Sequence, residues 1–299
     1  MNIVSKLKAI HQSVIGLNER NLGLIYPNNA RKNYKYADDK YLAKQLLHAH
    51  DIPCPETYAT IDSIGLIEAT WAEMKTKSAL AIKPAKGAGG NGILILKRRG
   101  GKWYSQNTEV TDEEVMIHLA NIIFGIYSFG DGDVALIEEC IFPHQLFHEI
   151  YPSGVPDIRV ILLKGIPLMA MLRMPTAESG GKANLHQGGL GIGVDVVSGQ
   201  LKMAYDGKQH LDIHPDSKVK LTGIQLPFWA EMISMSRKAA DVFPLDYLGV
   251  DLVIDQEKGP MIMELNVRPG LGIQIANQEG LKDVIAKYSS QLNPQTQEK

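Results

Sequence analysis

Residues 247–270 read YLGVDLVIDQEKGPMIMELNVRPG, two apolar runs separated by a polar turn. YLGVDLVID and PMIMELNV predict a pair of adjacent strands, because both are rich in Val, Ile, Leu and Met and are bounded by turn residues. Three polar residues interrupt them: Asp251 in the first run, Glu264 and Asn266 in the second. Positions two apart on a strand point to one face, so Glu264 and Asn266 project together, and a paired strand brings Asp251 opposite them. Such a set of oxygen ligands suits Mg²⁺, with Mn²⁺ as the alternative ion, since Mg²⁺ is usually held by one or two carboxylates and by substrate phosphates. The competing reading has Asp251 capping a turn and Glu264 paired with Arg268. The cost of an unpaired carboxylate inside an apolar strand weighs against it.

Upstream, residues 79–105 read ALAIKPAKGAGGNGILILKRRGGKWYS, which predicts a strand, a glycine-rich loop and a second strand turning at Gly100-Gly101. GAGGNG, Gly87 to Gly92, satisfies G-x-G-x-x-G, but a dinucleotide fingerprint must open a helix, and ILILK is strand-like. Without a following Gly-Lys-Ser/Thr it is not a P-loop either. A glycine turn inside a hairpin can instead fold over a triphosphate, offering backbone N–H donors where side chains would obstruct them. The plainer alternative is a flexible hairpin. Lys83 projects from the strand before this loop and needs an anionic partner if buried. Lys40, at the start of the preceding helix, is a second candidate cation, with a solvated helix residue as the alternative.

Ile3, Leu7, Ile10, Val14 and Leu17 recur at helical spacing and predict one amphipathic N-terminal helix before a polar stretch from Asn18 to Asp39. That helix packs on the body or docks on a partner protein or a membrane surface. Asp38-Asp39 opens a helix over KYLAKQLLHAHDI. Residues 111–127 and 227–243 read as helices, VALIEECI as a short buried strand, and IRVILLKGIPLMAMLRM as two strands turning at Lys164-Gly165. AESGGKANLHQGGLGIG reads as a mobile glycine-rich loop, and the tail QLNPQTQEK as frayed.

The chain has 299 residues, 44% hydrophobic and 21% charged, the profile of a folded globular protein with material for one large or two packed domains. A net charge of −2 argues against an electrostatic nucleic-acid binder. Cys54 and Cys140 alone support neither a disulfide framework nor a structural zinc site. No signal peptide is legible at the N-terminus. Ile158 to Met174, the longest apolar region, carries Arg159, Lys164, Pro167 and Arg173 and is no membrane span. The expectation is a cytoplasmic protein.

Taken in order, Lys40, Lys83 with its glycine loop, Leu136-Ile137-Glu138-Glu139, Arg173, Asn184 and the Asp251/Glu264/Asn266 set resemble the ATP-grasp superfamily over roughly residues 36–285. DIRV, ANLHQGG, GVDLVID and MELNVRPG are similar to the glutamate ligase branch that modifies a ribosomal protein, in particular the α-L-glutamate ligase-like proteins of bacteria. The resemblance implies an α+β ATP-grasp fold in which two α+β subdomains clasp ATP. The implied divisions are an N-terminal helix and extension (1–38), a lid subdomain with the glycine loop (39–142), a C-terminal subdomain with the Mg²⁺ site (143–289) and the tail (290–299).

By the same resemblance, Lys40, Lys83 and the loop residues Gly87, Gly89, Gly90 and Asn91 would contact the nucleotide's phosphates. Glu138, Glu139 and Ile141 would line the adenine, with Glu138 or nearby backbone atoms accepting from its amino group. Glu149 is the first choice for the ribose, ahead of His144, Gln145 and His148. The implied chemistry is carboxylate–amine ligation through an acyl phosphate, with Arg173 and Asn184 holding the γ-phosphate and acyl phosphate. Arg159, Lys182, His186 and Arg268 are candidate contacts to a substrate carboxylate, each with a structural ion pair as the alternative. The substrates implied are an amino acid such as glutamate and a peptide, protein or small amine. A phosphotransferase or sugar-pathway enzyme, and a non-catalytic ATP-sensing module, are the other readings. Only about 38 residues precede the matching body, where many ATP-grasp ligases carry a full α/β domain. The expectation is a site open to a peptide end, a protein tail or a cell-envelope intermediate, or one completed by a partner at the N-terminal helix.

Overall fold

The computed structural model describes residues 12–87, 89–128 and 130–292, and these form two compact units. The described residues of the first unit are 39–44, 54–87, 89–128 and 130–141. Helix α1 (Lys40–Ala49) starts here, capped by the Asp39 carboxylate, which accepts from the Tyr41 and Leu42 amides. An antiparallel sheet follows, built from β1 (Thr57–Ile61), β2 (Ala79–Pro84), β3 (Leu94–Arg99), β4 (Lys102–Ser105), β5 (Thr108–Val110) and β6 (Ala135–Glu138). Its order is β1-β6-β2-β3-β4-β5. Ile61, Leu80, Ile82, Leu96, Ala135 and Ile137 bury one face against α2 (Ile67–Met74) and α3 (Asp112–Ile123). The sequence TDEE at the start of α3 makes a capping box, Thr111 Oγ1 accepting from the Glu114 amide while Glu114 accepts from the Thr111 amide. The 87–92 segment joins β2 to β3 as a hairpin loop.

The described residues of the second unit are 12–38, 45–53 and 142–292. Its seven strands are β7 (Asp157–Leu163), β8 (Ile166–Met174), β9 (Leu190–Val194), β10 (Leu201–Tyr205), β11 (His210–Leu211), β12 (Tyr247–Asp255) and β13 (Gly259–Asn266), in the order β11-β10-β9-β8-β7-β12-β13. β7 and β8 turn at Lys164-Gly165, where both residues have positive φ, the backbone a two-residue hairpin requires. α5 (Trp229–Val242) packs on β7, β8, β12 and β13, and α6 (Gly272–Asn277) on β8, β9 and β10, which is why the central strands are apolar throughout. α4 (Gln145–Ile150) and α7 (Leu281–Lys287) complete the unit.

The expected N-terminal helix, Ile3 to Leu17, lies outside the described residues up to residue 11, and residues 14–16 are not helical, so no helix continues to Leu17. Most of the tail, residues 293–299, also lies outside them. The polar stretch after Leu17 folds into short helical turns held to this unit by side chains on backbone. Gln274 accepts from the Ile15 amide at 2.9 Å and donates to its carbonyl at 3.0 Å. Asn29 makes the same reciprocal pair with Tyr247, at 2.7 and 3.0 Å. Among the described residues no helix is long and apolar enough to cross a membrane.

Candidate functional site

Cross-strand register gathers six polar residues on one face of the second unit's sheet. Asp251 on β12 is the direct partner of Glu264 on β13 and of Arg159 on β7; Gly249 is the partner of Asn266; Asp157 on β7 is the partner of Arg173 on β8. Residues directly opposite in an antiparallel pair share a face, and so do residues two apart on one strand. The register of β12 and β13 shifts after Asp251, a bulge that inserts Met263.

The side chains are joined. Arg159 donates Nε to Asp251 Oδ1 at 2.7 Å and Nη2 to Oδ2 at 2.5 Å, a bidentate pair. Arg173 donates Nη2 to Asp251 Oδ2 at 2.7 Å and Nε to Asp157 Oδ1 at 2.5 Å, and Asn266 donates Nδ2 to Asp251 Oδ2 at 3.1 Å. Burial opposes ionisation of Asp251, but the two guanidiniums outweigh it and hold the carboxyl well below the usual carboxylate range. Burial also opposes the charge on Arg173, and Asp251 and Asp157 override it. Asp157 is pushed up, first by burial and then by the neighbouring Asp251, against the pull of Arg173.

Among the described residues no cluster of three or more His, Cys, Asp or Glu could hold a metal ion. The set here is two carboxylates and an amide, and its chemistry fits Mg²⁺. Asn266 spends its N–H on Asp251 and keeps its carbonyl oxygen, and whereas Asp251 Oδ2 takes three donors, Oδ1 takes only Arg159 Nε and keeps a lone pair. Glu264 is half-buried and stands beside them. Phosphate oxygens would complete such a coordination.

Asn184 caps the short turn Leu185–Gln187 by accepting from the His186 amide at 3.0 Å, in the loop after β8. This loop, expected to be mobile, is tied at its base. Thr176 donates to the Gly188 carbonyl at 2.7 Å, and buried His214 binds the Pro175 carbonyl at 3.0 Å. Lys182 and His186 on it are exposed. Arg268 is exposed, lies over the Tyr34 ring at 4.9 Å and pairs with Asp38 at 3.8 Å, so its partner is not Glu264. Glu149 sits on the exposed side of α4 and accepts from Gln145.

In the first unit a different cluster forms. Glu138 is buried, and its Oε2 accepts from Lys83 at 2.7 Å and from Lys44 at 2.8 Å, while Oε1 has no hydrogen-bond partner. Lys44 also donates to the Pro55 carbonyl at 2.6 Å. Burial, then the charge of Lys83, lowers the Lys44 ammonium to about 8 against the pull of Glu138. Sequence reasoning passed over Lys44; the one available signal was its position four residues after Lys40, on the same helix face. Glu139 is clipped to Glu56, its carboxylate accepting from the Glu56 amide at 2.9 Å. Ile141, at the end of this unit, is buried. Lys40 donates to the Gly87 carbonyl at 2.5 Å. Gly89, Gly90 and Gly92 have positive φ, and Gly89, Gly90 and Asn91 are exposed.

The family described as sugar-transfer associated ATP-grasp matches residues 19–289. The chain is 25% identical over 258 residues to a probable alpha-L-glutamate ligase of Parasynechococcus marenigrum, covering 85% of this chain and 41% of that protein. It is 33% identical over 98 residues to a probable alpha-L-glutamate ligase of Photobacterium profundum, covering 32% of this chain and 31% of that protein. The chain thus spans well under half the length of these relatives. D-alanine–D-alanine ligase from Bacillus anthracis has the same fold, with a TM-score of 0.51 at 15% identity, over 93% of this chain and 75% of that one.

Proposed function

Since the chain belongs to the sugar-transfer associated ATP-grasp family, we propose that it is an ATP- and Mg²⁺-dependent carboxylate–amine ligase. The observation that carries this reading is the buried Asp251 carboxylate held by two guanidiniums beside Glu264 and Asn266. Fixed charges of both signs on one rigid sheet face suit the transfer of a phosphoryl group, where catalysis is mostly positioning and electrostatic stabilisation.

In the proposed reaction a substrate carboxylate oxygen attacks the γ-phosphorus of ATP, the bond to the β,γ-bridging oxygen breaks, and ADP leaves. The amine nitrogen then attacks the acyl carbon, the bond to the phosphate oxygen breaks, and amide and inorganic phosphate form. Arg173 would bind the transferring phosphoryl oxygens and then the acyl phosphate, with Asn184 nearby in sequence on the loop after β8. Lys40, Lys83 and the 87–92 loop would bind phosphates from the first unit. Glu138 Oε1, buried without a partner, is the acceptor assigned to the adenine amino group, with Glu139 and Ile141 beside it and Glu149 toward the ribose. Asp251, Glu264 and Asn266 would hold Mg²⁺, which when bound neutralises phosphate charge. Lys182, His186, Arg159 and Arg268 are the candidates for a substrate carboxylate, and His186 also for the proton the amine sheds.

The curated relatives, named as glutamate ligases, favour glutamate as the acid. The family's description favours a second reading of the acceptor, an amine on a saccharide. Incubation with ATP, Mg²⁺ and pools of amino acids, peptides and amino sugars tests both. The expected result is acceptor-dependent phosphate release with a product heavier by one acyl residue. ATP binding without any such turnover would replace the ligase reading with a sensing one.

A further inference from the structure

The second unit carries a buried hydroxyl with no hydrogen-bond partner and two buried guanidiniums whose bonds leave N–H donors over. Tyr247, Gly249 and Asp251 alternate along β12 and therefore share the face described above. Gly249 is the point where the Asn266–Gly270 segment crosses this face: a Cβ there would stand 2.8 Å from Pro269 Cβ and 3.3 Å from Asn266 Cβ. Two positions further along, Tyr247 is wholly buried, and its hydroxyl has no hydrogen-bond partner. A buried orphan hydroxyl is costly and rare in folded proteins.

Two guanidiniums stand at the Pro269–Gly270 part of the segment that crosses this face. Arg20, 6% exposed, comes from the polar stretch after Leu17. It donates Nη1 to the Pro269 carbonyl at 3.0 Å and its other edge to Asn21 Oδ1, and no carboxylate among the described residues pairs with it. Burial, its largest influence, lowers its affinity for a proton, and Arg268 adds repulsion. Arg159 commits Nε and Nη2 to Asp251, while its Nη1 lies 3.8 Å from where a Cβ on Gly270 would stand. Both guanidiniums act on the Tyr247 phenol, whose proton burial secures by pushing the group up to about 12. The phenol is thus a donor at neutral pH.

We propose that Arg20, Arg159 and the Tyr247 hydroxyl form a subsite for an oxyanion, the carboxylate or phosphate group of a substrate. Two positive donors and one neutral donor, none of them facing an acid other than Asp251, match an anion that brings several acceptor lone pairs. The assignment of that anion to a substrate rests on the ligase reading; the anion site itself does not.

The test titrates the full chain with L-glutamate and, separately, with inorganic phosphate, without nucleotide and again with ADP and Mg²⁺, and repeats this with Y247F and R20Q. Wild type is expected to bind one of the two anions, and which one names the carboxylate or the phosphate source. Y247F is expected to weaken that binding about tenfold while keeping or raising the thermal midpoint, because its hydroxyl bonds nothing in the protein. Unchanged affinity in Y247F, binding of neither anion by wild type, or a lowered midpoint in Y247F would each overturn the subsite. Anion binding that follows this pattern in a chain without acceptor-dependent turnover would retain the subsite and reject the ligase.

Discussion

Asp251 and Glu264 stand directly opposite each other on adjacent antiparallel strands, yet their surroundings differ: Asp251 is sealed and engaged by two arginines, whereas Glu264 is half-buried. The division gives the pair two tasks. On the proposed reading Asp251 anchors the charge network, and Glu264 is the more accessible carboxylate of the set that would hold the metal. Glu264→Gln keeps shape and removes the charge. Turnover should fall on the order of 10²–10³-fold, the scale of losing one electrostatic contact in a transition state, with nucleotide binding still measurable by calorimetry. Unchanged turnover would remove Glu264 from the metal set.

Arg159 and Arg268, both sequence candidates for a substrate carboxylate, should separate in stability. Arg159→Met strips the bidentate partner from a buried carboxylate, and removing one member of such a pair costs about 3 kcal/mol or more. Arg268→Ala breaks an ion pair at 3.8 Å whose side chains are 52% and 54% exposed and a contact over the Tyr34 ring, each worth about 1 kcal/mol or less. Denaturant midpoints check both, and equal losses would refute the network's role.

The contrast shows how far the sequence could be read. The Asp251, Glu264 and Asn266 face followed from a period of two and one turn, and the β7–β8 hairpin from Lys164-Gly165. What occupies Asp251 did not follow, because Arg159 and Arg173 lie 92 and 78 positions away and meet it only through strand order. The segment after Leu17 was illegible for another reason. It docks through Arg20 and Asn29 on backbone groups, and such bonds leave no periodic pattern. Lys44 read as one lysine of an ordinary helix because its partner, Glu138, belongs to a strand far along the chain.

Lys44 makes stability depend on pH in a stated direction. Its ammonium is lowered from 10.5 to about 8 in the folded chain, chiefly by burial. Between those values the unfolded chain keeps a proton that the folded chain has released, so stability rises with pH across that window. The full contribution is roughly 3 kcal/mol at 1.36 kcal/mol per unit. Urea midpoints between pH 7 and 10.5 should climb in wild type relative to Lys44→Met, where the proton is absent in both states. Parallel profiles would show that Lys44 titrates normally.

The glycine loop is pinned at both ends and open between them. Lys40 donates to the Gly87 carbonyl, His118 Nε2 binds the Gly92 carbonyl at 2.9 Å, and the Tyr127 ring packs where a Cβ on Gly92 would be, 2.6 Å from its Cγ. Gly89, Gly90 and Asn91 stay exposed. If their amides bind phosphate oxygens, ATP with Mg²⁺ should slow hydrogen exchange in residues 83–93, since donors held on an anion no longer open to solvent. Fixed ends confine the ordering to the exposed centre, so protection should be greatest at residues 89–91 and small at Lys83. Gly92→Ala, which combines a positive φ with the Tyr127 clash, should abolish that protection while the core amides of β2 exchange as before. Absence of nucleotide-dependent protection in the native loop would show that it is a plain hairpin turn.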